Sequence, residues 1–485
     1  MPEKNIQKNY IYNTLYQIFK IITPLITTPY ISRILGADGI GTYSYISAIV
    51  SNFILFAGLG IGTYGQREIS YLQDNVEDRS LRFWEIECLN LFSVGLTIVL
   101  YILYIFTVKK NIEIYCICIL QILTIAADVG WIFSGMEDFP KIAIRDFIFK
   151  FFNIIGIFLF VNSKNDLKLY ALLLSALPLF SAISLWFYLP EYIIRIPVKK
   201  LRPFRHLKET VALFIPTIAI NVYSVWDKIM LGIILNNAYE NGYYEQAYKI
   251  IRISLTIVTS LGTVIVPRIG HYYSKGDFDA IKNTVSKSFN FVWFLSCPIC
   301  FGLIGCSANF VPWFLGPDYV MAIPLIKILA FLIIIIGLNN ITGFQILVPT
   351  KRQKYFTITV CLGAITNIIL NAIFIPSLGS KGAAVSSVIA EIIVLLTEIW
   401  IIRKEFHFRQ LFTISGNYVF ASFFMMVLLL FEDYYLQPGI FQTVIMIISG
   451  LSLYTSILMI LKDDFLKDYG FICLNKLIFY IKRHV

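Results

Sequence analysis

Three stretches of this chain place polar side chains at the spacing of one helix face inside otherwise apolar sequence. Glu245, Lys249, Arg252, Thr256, Thr259 and Thr263 step by four, three, four, three and four residues, so a helix would display them as one continuous line. Thr217, Asn221, Ser224 and Lys228 repeat the pattern with Asp227 beside the lysine, and Asn13, Gln17, Lys20, Thr23 and Thr27 repeat it near the start of the chain. Lys20, Lys228, Lys249 and Arg252 set four positive charges against Asp227 and Glu245, an excess near +2 that calls for an anion. A pyrophosphate group matches that excess, and Arg offers the two-pronged donor geometry that its oxygens favour. The competing reading is internal satisfaction: Glu245 with Lys249 one turn on, and Asp227 with Lys228 or Lys249, joining helices. Asp128, and the group Arg145, Asp146 and Lys150, are open to three roles: a gate, a proton-linked site or an ion-pair network. Glu391 and Lys327 stand alone in their apolar runs and are open to a snorkelling or capped role as well as a functional one. The sequence predicts no catalytic residues and no metal site. Cys297 and Cys300 form a C-x-x-C around Pro298, but no second pair stands at zinc spacing, so both read as buried structural thiols.

The elements that must carry these residues are membrane helices. The chain has 485 residues, 58% of them apolar and only 14% charged, which excludes an ordinary soluble fold. Runs of spanning length recur from Ile11 to Leu461. They predict an all-α integral membrane protein of about fourteen spans, near residues 10–31, 39–63, 83–107, 112–136, 142–161, 168–190, 209–235, 242–267, 286–310, 320–348, 354–375, 380–402, 414–431 and 440–461. The first run follows Lys4 and Lys8 without a small-residue cleavage site, so it is expected to be retained as a helix. The net charge of +10 might suggest nucleic acid, but in a membrane protein Lys and Arg report topology first. With the N-terminus inside, 28 of the 40 Lys and Arg fall on the cytoplasmic side and 6 on the other, which predicts both termini in the cytoplasm.

The densest basic loop, residues 195–208, carries Pro197 and Pro203 and divides the spans into an N-lobe (1–194) and a C-lobe (209–402) of six helices each. Residues 403–461 form an appended helix pair. The tail, 462–485, places Phe471, Leu474, Ile478 and Ile481 on one face and reads as an amphipathic helix on the inner leaflet. The halves echo one another: Ile34-Leu35 followed by Gly41-Thr-Tyr43 matches Ile234-Leu235 followed by Gly242-Tyr-Tyr244, and Leu378-Gly379-Ser-Lys-Gly382 matches Leu35-Gly36-Ala-Asp-Gly39. Weak internal symmetry of this kind marks transporters built from repeats, with the substrate path at the repeat interface.

Several stretches resemble a known family. They are Pro29-Tyr-Ile-Ser-Arg33-Ile-Leu-Gly36, Gly65-Gln-Arg67-Glu68-Ile69, Gly130-Trp131-Ile-Phe-Ser-Gly135-Met-Glu137-Asp138-Phe139, Asp227-Lys228-Ile-Met-Leu231-Gly232 and Gly242-Tyr-Tyr-Glu245-Gln-Ala247. In order and spacing they resemble the Wzx-type oligosaccharide flippases of polysaccharide biosynthesis, within the multidrug/oligosaccharidyl-lipid/polysaccharide exporter superfamily. The resemblance implies two six-helix lobes in a V, opening alternately to each side of the bacterial plasma membrane, with the first, second, seventh and eighth spans lining the cleft. It implies a cargo, an undecaprenyl-pyrophosphate-linked oligosaccharide moved outward for capsule, exopolysaccharide or O-antigen assembly, and as partners a polysaccharide polymerase and glycosyltransferases. It also adds Arg33 to the phosphate-binding set of Lys20, Lys228, Lys249 and Arg252. The cleft would be lined by Asn13, Gln17, Thr23, Asn221, Ser224, Thr256 and Thr259, and Asp128, Asp227 and Glu245 are the candidates for proton or sodium coupling. Relatives carry an Asp-Trp pair where this chain has Gly130-Trp131, with Asp128 two residues earlier. No cofactor and no nucleic acid are expected. The rival readings are an exporter of a wall or teichuronic-type lipid-linked precursor, a drug or cation antiporter of the same fold, and a membrane polymerase or glycosyltransferase, the last disfavoured by uniformly short outer loops.

Overall fold

The computed structural model describes residues 6–406, 412–413, 415–463 and 465–467, with side chains described from Ile22 onward except at residues 215–216, 219–220, 222–224 and 263. Asn13, Gln17, Lys20, Ser224, Thr263 and the amphipathic face of the tail therefore lie outside the described residues. Among those described, ten helices are long and apolar enough to cross a membrane, or eleven if one bent pair counts as a span. The chain packs as two units, Met1–Gly242 and Tyr243–Val485.

In the first unit, α1 (Ile6–Gly58) is helical through Pro24 and Pro29 and breaks at Gly36. There φ is 66° and ψ 178°, a conformation open to glycine because it has no β-carbon. α2 (Ile61–Ser70) is a short helix, and α3 (Val76–Thr107) begins on Asn75, whose side chain accepts from the amides of Glu77 and Asp78. α4 (Ile112–Ala127), α5 (Gly130–Gly135), α6 (Phe139–Phe160) and α7 (Leu167–Ser184) follow, and α8 (Leu207–Leu235) closes the unit. The long helices α6 and α8 are not among the ten candidate spans; each carries four charged residues along its length. One buried core joins the second limb of α1 to α3, α4 and α7 through Ile46, Val50, Val94, Tyr101, Tyr115 and Ala171. Another, around Tyr64, Phe83, Trp131, Phe133 and Leu185, gathers α2, α5 and the start of α3.

Two Ala-x-x-x-Gly segments cross reciprocally in this unit. Ala37 and Gly41 of α1 meet Ala238 and Gly242, the first turns of α9 (Ala238–Thr259). A β-carbon on Gly41 would overlap the Ala238 carbonyl, and one on Gly242 would overlap the Ala37 carbonyl. Small residues at this four-residue spacing let helix backbones touch, which in lipid replaces the missing hydrophobic drive. The echo seen in the sequence is thus a physical contact between its two copies. Gly232 of α8 similarly lies flat against the ring of Tyr45.

In the second unit, α9 leads into α10 (Gly262–Ser274), and α11 (Phe278–Phe314) forms a long central helix. α12 (Ala322–Leu329) and α13 (Phe331–Asn339) run into a π-helical segment, Asn340–Leu347. α14 (Gln353–Leu378) and α15 (Ser380–Ile402) form a hairpin turned at Gly379, with φ of 61°. α16 (Ser415–Tyr435) and α17 (Ile440–Ile460) both pack on α11. Cys297 and Cys300 on α11 are fully buried free thiols.

Replacing Gly41 by Leu should cost at least about 1–3 kcal/mol, because the crossing leaves no volume for a side chain. Thermal unfolding in detergent checks this: the midpoint should drop for Gly41→Leu and stay put for Gly95→Ala, whose added carbon would meet nothing within 4 Å.

Candidate functional site

The first unit holds an open-mouthed cavity of about 470 Å³ between α1, α4, α6 and α7. Thr23, Thr124, Asp128, Arg145, Asp146 and Lys150 bring polar groups to its wall, beside Phe149 and Pro178. Thr23 comes from α1, Thr124 and Asp128 from α4 and its end, and Arg145, Asp146 and Lys150 from α6. Lipid offers no partner for such groups, whereas a shared polar interior does. Arg145 organises the charges: its guanidinium donates to Asp146 Oδ1 from Nε at 3.0 Å and Nη2 at 2.6 Å, and Nη1 stands 3.7 Å from Asp128 Oδ1. Nη1 is buried and makes no hydrogen bond among the described residues, leaving one arm of the fork open. Asp128 also accepts from the Gly130 amide at 3.0 Å, which fixes the turn between α4 and α5. Of the three roles open to this group, the geometry favours an ion-pair network that also lines a cavity.

The two polar stripes fare differently. On α9, Lys249 and Glu245 are half-buried, Arg252 and Thr256 exposed, and Thr259 half-buried, while Ala247, Ile251, Leu255 and Val258 on the opposite side are buried. The stripe therefore turns away from the apolar packing of its helix. The hydroxyls of Thr256 and Thr259 donate to the carbonyls of Arg252 and Leu255 one turn back. On α8, Asp227 is 5% exposed, Lys228 is half-buried, and the side-chain oxygen of Asn221 is buried without a described hydrogen-bond partner. Thr217 donates to the Phe214 carbonyl. Asp227 and Lys228 belong to the first unit, and Glu245, Lys249 and Arg252 to the second. Arg33 is exposed near the end of the first limb of α1.

A second cluster ties the basic linker to the helices beneath it. Glu85 of α3 is 1% exposed and accepts from the Arg202 amide at 2.9 Å, from the Arg205 guanidinium and from His206 Nε2 at 3.0 Å. The same Nε2 also faces the Arg205 Nε–H at 3.3 Å, and on the other side of the ring Nδ1 shares a hydrogen bond with the Tyr64 hydroxyl at 2.7 Å. Arg67 of α2 adds an ion pair to Glu209 at the start of α8, and its neighbour Glu68 holds Arg82. A buried acid at the head of an apolar run was the sequence signal for Glu85, and it is lost beside the more conspicuous linker charges. Glu391 does not stand alone: Asn339 donates to its carboxylate and its carbonyl. Lys327 exerts its field on Asp433.

Known proteins share both sequence and fold with this chain. The polysaccharide biosynthesis protein family model matches residues 6–273, more than half of the sequence. The chain belongs to that family. This polysaccharide biosynthesis protein is 23% identical over 412 residues to "Putative O-antigen transporter" of Escherichia coli strain K12, covering 83% of this chain and 97% of that one. It is 27% identical over 168 residues, 35% of each chain, to "Probable low-salt glycan biosynthesis flippase Agl15" of Haloferax volcanii. In fold it is similar to an inward closed lipid II flippase MurJ, with a TM-score of 0.73 at 18% identity over 95% of this chain and 99% of that one. An inward-facing multidrug transporter of the MATE family follows at 0.59 and 14%, over 79% and 98%. The family is one of multi-pass membrane transporters and not of enzymes.

Burial holds the His206 imidazole below its ordinary value of 6.5, against the hydrogen bond to Glu85 that favours its charge, with Arg82 and Arg205 adding to the lowering. The neutral ring is therefore at no disadvantage above about pH 6.5. As pH falls below that, the unfolded chain takes up the proton first and the folded state loses stability. The unfolding midpoint of the wild type should fall more steeply between pH 7 and 5 than that of His206→Gln, which has no ring to protonate; parallel curves would contradict it.

Proposed function

We propose that this polysaccharide biosynthesis protein is a flippase that carries undecaprenyl-pyrophosphate-linked oligosaccharides from the inner to the outer leaflet of the bacterial plasma membrane. The observation that carries the reading is the α9 stripe, a line of charged and hydroxyl side chains along a helix within the membrane, turned away from that helix's buried apolar face. Family membership and the O-antigen transporter named among its relatives support the cargo class.

Counting the two limbs of α1 separately and adding α6, α8 and the bent pair of α9 and α10 to the other nine candidates gives fourteen spans, the number read from the sequence. In this reading residues 1–194 and 209–402 are the two lobes, 195–208 is the cytoplasmic linker, 403–461 is the appended pair, and both termini are cytoplasmic. Packing alone groups α8 with the preceding helices. We take that as a feature of this conformation and not as the boundary of the moving parts.

The sugars travel in a hydrated cleft while the polyprenyl tail stays in lipid. Each hydroxyl stripped of its hydrogen bonds in hydrocarbon would cost about 2–7 kcal/mol, so the path must be wet. Lys20, Arg33, Lys228, Lys249 and Arg252 grip the pyrophosphate, while Asn13, Gln17, Thr23, Asn221, Ser224, Thr256 and Thr259 line the path for the glycan. Asp128, Asp227 and Glu245 oppose the cations and couple their grip to proton or sodium binding. Capsule, exopolysaccharide and O-antigen units fit equally, and the polymerase and glycosyltransferases that consume and supply them are the natural partners. A lipid-linked wall precursor is the nearest rival cargo.

Replacing Lys249 and Arg252 by Gln together should abolish surface polysaccharide while the protein stays in the membrane at normal level. Undiminished export in that double variant overturns the assignment. In liposomes holding a defined lipid-linked oligosaccharide, the wild type should move it outward, and an imposed proton or sodium gradient should change the rate. Movement indifferent to both gradients removes the coupling role of the acids.

A further inference from the structure

The second unit contains a carboxyl group that neither the polar stripes nor the cavity uses. Glu398 on α15 is 0% exposed, within a helix long and apolar enough to span the membrane. It lies against the π-helical segment, where Gly343 leaves room for its Oε1: a β-carbon there would overlap that oxygen. π-helical turns are rare within α-helices and occur frequently at functional sites. Here Thr342, within the π-helical segment, has its hydroxyl in hydrogen-bond reach of the acid. Glu391 sits two turns earlier on α15, 6% exposed, and takes its hydrogen bonds from Asn339 at the end of α13.

Counting protons around Glu398 assigns its state. The Thr342 hydroxyl has one proton and two acceptors in reach, the Leu338 carbonyl at 3.2 Å and Glu398 Oε2. The Thr359 hydroxyl likewise has the Phe356 carbonyl at 2.8 Å and Glu398 Oε1 at 3.2 Å. An ionised Glu398 must draw both hydroxyl protons to itself and still holds a full charge away from water. A protonated Glu398 donates to Thr342 Oγ1, Thr342 donates onward to Leu338, and Thr359 keeps its shorter bond to Phe356. Three protons then make three hydrogen bonds and no charge is buried.

Among the described residues the surroundings supply no counter-ion. The charged residues on the elements packed against α15, and on α15 itself, are Lys327 of α12, Lys354 of α14, and Lys381 and Glu391 of α15; α13 and the π-helical segment carry none. Lys354 and Lys381 are exposed, and Lys327 lies on α12 without an ion pair to Glu398. Among the described residues no ion pair reaches Glu398.

We propose that Glu398 is a proton-binding site of this transporter, loaded in the present conformation and held by Thr342 of the π-helical segment and Thr359 of α14. It adds a titrating group to the acids assigned above and does not depend on the cargo assigned there. Infrared spectra of the purified protein in lipid nanodiscs at neutral pH test it. The difference between wild type and Glu398→Gln should contain the C=O stretch of one neutral carboxylic acid. The band should survive Glu391→Gln and shift in Thr342→Val, which removes its acceptor. A difference spectrum with carboxylate bands alone overturns the proposal, as does a neutral-acid band unmoved by Thr342→Val. If the band is present but the wild type moves no lipid-linked oligosaccharide in liposomes, the flippase reading fails while the proton site stands.

Discussion

Hydrocarbon gives a polar group nothing to bond to, and most of what is distinctive in this structure follows from that constraint. Every charge or hydroxyl placed within a span must be satisfied by protein or by water held in a protein-lined space. The first unit meets the requirement by gathering Asp128, Arg145, Asp146 and Lys150 around one cavity. The second meets it in another way, sinking Glu398 among two threonines where a neutral acid is at home. The α9 stripe is a third arrangement: it turns from its own apolar packing, and its Thr256 and Thr259 hydroxyls donate to carbonyls one turn back.

The same absence of water removes the ordinary hydrophobic drive between helices, so close contact must come from shape. The crossing of Ala37 and Gly41 with Ala238 and Gly242 is the clearest case, since each glycine occupies space that any side chain would need. Outside the hydrocarbon the chemistry reverts to charge. Glu85 collects an amide, a guanidinium and an imidazole from the linker, and the ion pair of Arg67 with Glu209 fastens the start of α8 to α2. Basic residues thus anchor the linker here, apart from the intramembrane set for which anion binding is proposed.

The all-helical membrane class is legible in the chain itself because apolar run length is a one-dimensional property. So are the stripes on α8 and α9, because a helical face depends only on spacing of three and four residues. The repeated Ala-x-x-x-Gly segments are visible too, though the sequence shows them as an echo and not as partners. Glu85 and Glu398 are present as letters, but their importance depends on burial. Thr342, Thr359 and Gly343 are unremarkable in sequence, and only the packing of the π-helical segment and α14 against α15 brings them to Glu398.

What the sequence alone determined is therefore the membrane-spanning class, the distribution of Lys and Arg, the polar faces and the family. Tertiary structure alone decided which polar residues meet: that Arg145 reaches both Asp128 and Asp146, that Glu85 receives the linker, that Glu391 has Asn339, and that the two small-residue segments touch. The physical reason is that spacing along one helix is local and sets a face, whereas the partner of that face is set by long-range packing. In a nonpolar medium that packing is decided by the shape of small residues and by the need to leave no buried charge unanswered.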